Sequence, residues 1–324
     1  MFSCTDAELE AVLEPMQVVA AIRAAFAHGF EKVSMPQRLH LETDAGTVLV
    51  MPCAIAGDDV CGVKMVSVSH EARPEGRVRA SYLLIDNSSS KTIAVFEANH
   101  LTDLRTAATT AIATDRLART DAVTLGIFGT GRQAESHLGM LSRVRNFQRI
   151  LVSGTSAQKT EAFSRRMQDR CRFDVEAADA ETCAASSDVI CACTSSVEPL
   201  FRGDLVRPGA HLNLIGTFQA HAREVDSALI RRARVFVDKY DAAFAEAGDI
   251  LVPLRAGEIG PEHVLGDLHE LVIGVKPGRI SLEDITVFKS VGCALEDLVT
   301  AKLAMRSIQN RTPEATAESR SLRP

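Results

Sequence analysis

Between residues 37 and 98 apolar and polar positions alternate with period two, in the runs "QRLHLE", "GTVLVMP", "CGVKMVSVS", "RASYLLID" and "TIAVFEA". The segments "TDAG", "AGDD", "HEARPEG" and "NSSS" that separate them have turn compositions, so the pattern predicts a β-meander. Ahead of it, "EPMQVVAAIRAAFAHGF" sets Val19, Ile22 and Phe26 at helical spacing, with Pro15 before the helix and Gly29 at its end. A second helix, "LTDLRTAATTAIATDRLA", follows the meander.

From residue 122 the texture changes. Strand-like runs "AVTLGIF", "RILVSG", "DVICACT", "HLNLIG", "RVFVDK" and "ITVFKS" alternate with helical segments such as "QAESHLGMLSRV" and "AQKTEAFSRRMQ". That alternation predicts an α/β, Rossmann-type doubly wound domain with a mostly parallel sheet. The closing run "GCALEDLVTAKLAMRSIQ" reads as an amphipathic helix, and the polar tail "NRTPEATAESRSLRP" as frayed.

Composition narrows the function classes. A chain of 324 residues, 46% of them hydrophobic, can build two domains. A formal charge of −6 disfavours a nucleic-acid partner, and no apolar run approaches the roughly 20 residues of a membrane span. The opening "MFSCTDAELEAVL" lacks the basic start and apolar middle of a signal peptide, so a cytoplasmic location is expected. The eight cysteines form no CxxC pair. Cys191 and Cys193 share one face of a strand and read as buried structural thiols. The histidines show no metal-ligand spacing, so no metal is expected. Neither a G-x-S-x-G elbow nor a Ser/His/Asp or Cys/His arrangement supports nucleophilic hydrolysis.

Gly129, Gly131 and Ala134 in "LGIFGTGRQAESHL" match G-x-G-x-x-A at a strand-to-helix junction. The first glycine allows the tight turn, the second lets backbone approach a pyrophosphate, and the helix N-terminus supplies N–H donors. At the end of the second strand, an NAD-selective site usually places an acid to bind the ribose hydroxyls. Here stand Ser153, Gly154, Thr155 and Ser156, with Lys159 one turn on. Nothing there repels a 2′-phosphate, so NADP(H) is favoured over NAD(H).

The first domain carries three isolated cations, Arg38, Lys64 and Arg105. Each alone reads more simply as a solvated surface charge. Strand alternation places Lys64 on the face opposite Val63 and Met65. Arg105 lies in the first turns of a helix, where the dipole disfavours a cation and a bound anion would explain one. Arg73, Arg77 and Arg79 read as a solvated turn.

The runs "GVKMVSVS", "LLIDNSSSKTIAVFEANHLTDLRTAATTAIATDRLAR", "LGIFGTGRQAESHL", "LNLIGTFQAHAREVD", "ARVFVDKYDAAFAEAGDI" and "ITVFKSVGCALEDLVTAKL" resemble the ornithine cyclodeaminase/mu-crystallin family in order and spacing, from about Gln37 to Leu303. The resemblance implies a homodimer. Residues 1–119 and 293–324 would form an α+β substrate-binding and dimerisation domain, and residues 120–292 the dinucleotide domain. It implies that Arg38, Lys64 and Arg105 bind a substrate carboxylate, with Lys64 the candidate catalytic residue and Arg105 also near the cofactor. Thr130, Arg132 and Gln133 would join the glycines at the pyrophosphate, and Thr194 and Ser195 would line the nicotinamide ribose. Thr217 and Ser290 would contact cofactor, while Val291 and Gly292 approach cofactor and substrate.

Cyclodeaminases of the family carry a catalytic aspartate in a Gly-Gly-Asp-Cys-Pro-Gly-Lys-like segment. The matching stretch here, "IGTFQAHAREV", has Thr217 instead, a poor base at neutral pH. The expectation is therefore NAD(P)H-dependent reduction of a small cyclic imino acid. Δ1-pyrroline-2-carboxylate, giving L-proline, leads, with Δ1-piperideine-2-carboxylate next. Ornithine cyclodeamination, an alanine-dehydrogenase-like activity and ligand binding without turnover are the alternatives.

Overall fold

A computed structural model describes residues 1–71, 76–170 and 173–311. Arg73, Cys171 and most of the polar tail lie outside that range. The chain divides into two compact units: residues 1–25, 29–105 and 294–324, and residues 26–28 and 106–293. The break expected near residue 120 falls at Arg105/Thr106, and the C-terminal return begins at Ala294.

The first unit contains β1 (Phe2–Cys4), α1 (Asp6–Val12), most of α2 (Pro15–His28), β2 (Val33–Ser34), β3 (Leu39–Thr43), β4 (Gly46–Ile55), β5 (Val60–Ser69), β6 (Val78–Asp86) and β7 (Thr92–Glu97). It also holds the first turns of α3 (Asn99–Leu117) and the C-terminal helix (Ala294–Arg311). The meander forms as expected, in the order β1-β7-β6-β5-β4-β2 with β3 also on β4. β1 is an addition, pairing parallel with β7. The C-terminal helix packs on β4, β5 and β6. Along β5, Gly62, Lys64 and Val66 are buried while Met65 and Ser67 are exposed, the period-two pattern of a one-sided sheet.

The second unit contains β8 (Thr124–Phe128), α4 (Arg132–Val144), β9 (Arg149–Ser153), α5 (Ala157–Arg170), β10 (Asp174–Ala177), α6 (Ala180–Ser186), β11 (Val189–Ala192) and β12 (His211–Leu214). It continues with α7 (Ser227–Arg232), β13 (Ala233–Val237), α8 (Tyr240–Glu246), α9 (Gly248–Arg255), β14 (Val264–Asp267), α10 (Leu268–Ile273) and β15 (Ile285–Lys289). Its eight strands are all parallel, in the order β10-β9-β8-β11-β12-β15-β13-β14. Apolar side chains cover both faces: Leu125, Ile127, Leu138 and Phe163 in one cluster, Phe128, Leu212, Val235 and Val287 in the other. Strand order reverses between β8 and β11, the place where doubly wound sheets open a ligand crevice at their carboxyl ends.

Candidate active site

The glycine turn stands at that switch point. Gly129 follows β8 with φ of 109°, and a Cβ on it would lie 2.6 Å from the Cys193 carbonyl oxygen. Its N–H donates to the Ser153 carbonyl at 2.8 Å, and the Cys193 N–H donates to the Phe128 carbonyl at 2.8 Å. The ends of β8, β9 and β11 are thereby tied together. Gly131 caps α4 in extended conformation with no side chain capping the helix. A Cβ there would meet nothing within 4 Å. Helix amides facing open space at a glycine are the features a pyrophosphate needs. Arg132 is exposed, Thr130 and Gln133 half-buried. Beyond β9, Ser153 is buried, Thr155 and Lys159 are exposed, and the Ser156 hydroxyl accepts from the Lys159 N–H at 3.4 Å.

The other strand ends carry a buried charged network. Glu224 accepts from the Thr194 N–H and hydroxyl at 2.9 and 2.8 Å and from the Gly216 N–H at 2.9 Å. Burial pushes its carboxyl pKa up, against the pull of Lys289. The Lys289 ammonium lies 2.8 Å from Asp249 and donates to the carbonyl and hydroxyl of Thr217. Thr217 donates in turn to Asp249 at 3.3 Å. The position of the expected aspartate is thus a hydroxyl held between a buried lysine and a buried acid. Ser195 is exposed beside half-buried Thr194. Ser290 donates its hydroxyl to Asp238 at 2.8 Å, and the Val291 and Gly292 amides donate to the same oxygen at 2.8 and 2.6 Å. That carboxylate sets the path of 290–292, where Gly292 has φ of 82°.

In the first unit, Lys64 and Arg105 come together in the interior rather than on the surface. The Lys64 ammonium meets Asp297 Oδ1 at 2.7 Å, and Arg105 reaches the same oxygen at 2.9 Å and Glu296 Oε2 at 2.5 Å. Glu296 and Asp297 lie in the first turn of the C-terminal helix, and their side chains are fully buried. The anion that a cation near a helix start called for therefore comes from the chain itself. Burial, and next the Arg105 charge, bring the Lys64 pKa down to about 8 against the pull of Asp297. Tyr82 pairs with Lys64 across β5 and β6, and its ring occupies the space over Gly62, where a Cβ would stand 2.3 Å from its oxygen. Among the described residues, Tyr82 Oη and Asp297 Oδ2 are buried without a hydrogen-bond partner. Arg38 is half-buried just ahead of β3. Three residues earlier, the Met35 sulfur accepts the Leu295 N–H, next to Glu296.

The family model for the ornithine cyclodeaminase/mu-crystallin family matches residues 1–312. The chain belongs to that family. The ketimine reductase mu-crystallin of Mus musculus is 35% identical over 264 residues, 81% of this chain and 80% of that one. The Thermococcus litoralis Δ1-pyrroline-2-carboxylate reductase, solved with NADH and L-proline, superposes with a TM-score of 0.92 at 32% identity, covering 96% of this chain and 98% of that one. An archaeal alanine dehydrogenase dimer with bound NAD gives a TM-score of 0.89 at 28% identity, covering 96% and 97%. The fold expected from the sequence, a Rossmann-type dinucleotide domain in a mixed α/β chain, is shown. Reading the sequence missed Glu296, Asp297, Asp238, Asp249 and Lys289 as parts of this family member's polar interior. Acids in the first turn of a helix are what its dipole favours anywhere, so Glu296 and Asp297 gave no signal of burial.

Proposed function

We propose that this chain is an NAD(P)H-dependent reductase of a small cyclic imino acid, with Δ1-pyrroline-2-carboxylate reduced to L-proline and Δ1-piperideine-2-carboxylate as the next candidate. The observation that carries this reading is the buried Lys64–Asp297–Arg105–Glu296 cluster. Two cations and two carboxylates sum to zero formal charge. A zwitterionic iminium carboxylate leaves that balance intact, whereas a simple anion would burden a buried site with unpaired charge. Arg105 and Arg38 are assigned to the carboxylate, and the open valences of Tyr82 and Asp297 suit a polar ligand beside Lys64.

The glycine turn and the uncapped start of α4 fit a dinucleotide pyrophosphate, with Thr194, Ser195, Thr217, Ser290 and Gly292 on the nicotinamide side. When bound, the nicotinamide supplies the hydride that adds to the carbon of the C=N bond. Hydride addition to the iminium leaves a neutral amine, and Lys64 is assigned the proton that turns this amine into the charged amino group of the product. With its pKa at about 8, the ammonium is charged at neutral pH and gives up its proton more readily than an ordinary lysine. Asp297 holds the ammonium in place.

The absence of an acid between Ser153 and Thr160, together with exposed Thr155 and Lys159, favours NADP(H). A homodimer formed through the outer face of the meander accords with exposed Leu39, Leu41 and Met65, since contiguous apolar surface is costly in water. Among the described residues no helix is long and apolar enough to cross a membrane. Free thiols at Cys4, Cys53, Cys61, Cys183, Cys191, Cys193 and Cys293 accord with a reducing cytoplasm. The test is a panel of cyclic imino acids and L-ornithine offered with purified cofactors. NADPH consumption with a five- or six-membered ketimine carboxylate is expected, and no turnover with either ring would reject the reading.

A further inference from the structure

We propose that His137, Cys191 and Cys193 form a site for one soft, thiophilic d10 cation, Zn2+ or Cu+, directly behind the glycine turn. The two cysteines stand two residues apart at the end of β11 and so share a face, and His137 projects from the second turn of α4. Their three donor atoms lie within 4.8 Å of one another, and the sulfurs are 3.6 Å apart. Two thiolates on one tetrahedral ion, with bonds of about 2.3 Å, stand roughly 3.8 Å apart. The sulfurs are therefore already at the spacing a shared ion needs.

The histidine is oriented as a ligand. Its Nδ1 lies 2.8 Å from the Gln133 carbonyl, which can only accept, so Nδ1 carries the proton and Nε2 the lone pair. A ring whose other nitrogen donates to a carbonyl is the usual arrangement around a bound metal. The Thr110 hydroxyl stands 3.0 Å from Nε2, so loading displaces it from the ring, and it keeps the Thr106 carbonyl, 3.0 Å away, as its partner. A donor set of two sulfurs and one imidazole selects soft cations and offers nothing to Mg2+ or Ca2+. Binding makes two metal–sulfur bonds and one metal–nitrogen bond and releases one proton from each thiol.

Cys193 also borders the cofactor cradle, since its carbonyl blocks any side chain at position 129. An ion joining Cys191 and Cys193 to α4 would cross-link the strand and the helix that flank the pyrophosphate turn. Metal occupancy should therefore change dinucleotide affinity.

Full-length protein, stripped with chelator and kept reduced, is incubated with ZnCl2 alone or with Cu+ delivered from a competing chelator, desalted and analysed for metal. Co2+ serves as the spectroscopic probe. About one equivalent of Zn2+ or Cu+ should be retained, Co2+ should show thiolate charge-transfer absorption, and protons should be released on loading. Cys193→Ser and His137→Asn should weaken binding at least about tenfold. Which of the two metals is held more tightly distinguishes the natural cation. Retention of neither metal, or equal retention by the Cys191→Ser/Cys193→Ser variant, would overturn the proposal. If that variant does not fold, absence of thiolate absorption in the Co2+-treated wild type overturns it.

Discussion

Replacing Asp297 by Asn removes the charge beneath Lys64 and Arg105 with little change of shape. Asp297 supplies the nearest opposite charge to the Lys64 ammonium, at 2.7 Å, and opposes both burial and Arg105. An opposite charge at such a distance shifts a pKa by about 1–3 units, so Lys64, now at about 8, should titrate lower in the variant. At pH 8 about half of the wild-type lysines are protonated, and a fall of one unit leaves roughly a tenth. Breaking a buried pair also costs about 3–5 kcal/mol when a charge is stranded, so stability should be followed by thermal unfolding alongside. The assay is the pH profile of kcat with NADPH and Δ1-pyrroline-2-carboxylate. The wild type should lose activity as pH rises through about 8, because the donor is the charged form. Asp297→Asn should lose it at least about one unit lower and recover towards acid pH. A folded variant whose alkaline limb coincides with that of the wild type would refute Lys64 as the donor.

Arg105→Ala and Arg38→Ala should each raise KM for the imino acid and lower kcat/KM by about ten- to a hundredfold, the cost of a charge-assisted contact; unchanged steady-state kinetics in both would remove the carboxylate clamp. Asp introduced at Ser153 or Thr155 should shift cofactor preference from NADPH towards NADH, read by fluorescence titration; a wild type that already prefers NADH and ignores both changes contradicts the 2′-phosphate pocket. His211, fully buried against Thr286 and Asn213, is held neutral, its pKa brought down to about 3 chiefly by burial and next by Arg279. The unfolded chain then binds the extra proton first, so stability should fall as pH drops from 6.5 towards 3, by on the order of 4 kcal/mol in all. Denaturant titrations of the wild type and His211→Gln across that range should differ in slope, and parallel curves would contradict the assignment.

Period-two runs made β4 to β7 legible because one face of that sheet is buried and the other is not, whereas β3, exposed along all five residues, was legible from its alternating sequence alone. The strands β8, β9, β11, β12, β13 and β15 were legible as short apolar runs between helices. β10 and β14 escaped notice because they are the edge strands of their sheet and their sequences, DVEA and VLGD, carry no continuous apolar run. β1 gains its identity only by pairing with β7, ninety residues away in sequence. The glycine turn could be read directly, since its chemistry is local. The cationic cluster could not. Lys64 and Arg105 look like surface charges until the fold brings Glu296 and Asp297 from the far end of the chain, over 190 residues beyond Arg105. The buried Lys289–Asp249–Thr217 network is likewise an assembly of distant loops and strand ends.

On the proposed reading, Thr217 in place of a cyclodeaminase aspartate is what sets reduction against cyclodeamination. The direct measurement runs two assays on one preparation: NADPH oxidation with Δ1-pyrroline-2-carboxylate, with L-proline identified as product, and ammonia release from L-ornithine with NAD. The reductase account predicts catalytic NADPH oxidation and L-proline in the first and no catalytic ammonia in the second, because the Thr217 hydroxyl is committed to Lys289 and Asp249 and is no base. Catalytic ammonia release from ornithine, with no turnover of the cyclic imine, would contradict it.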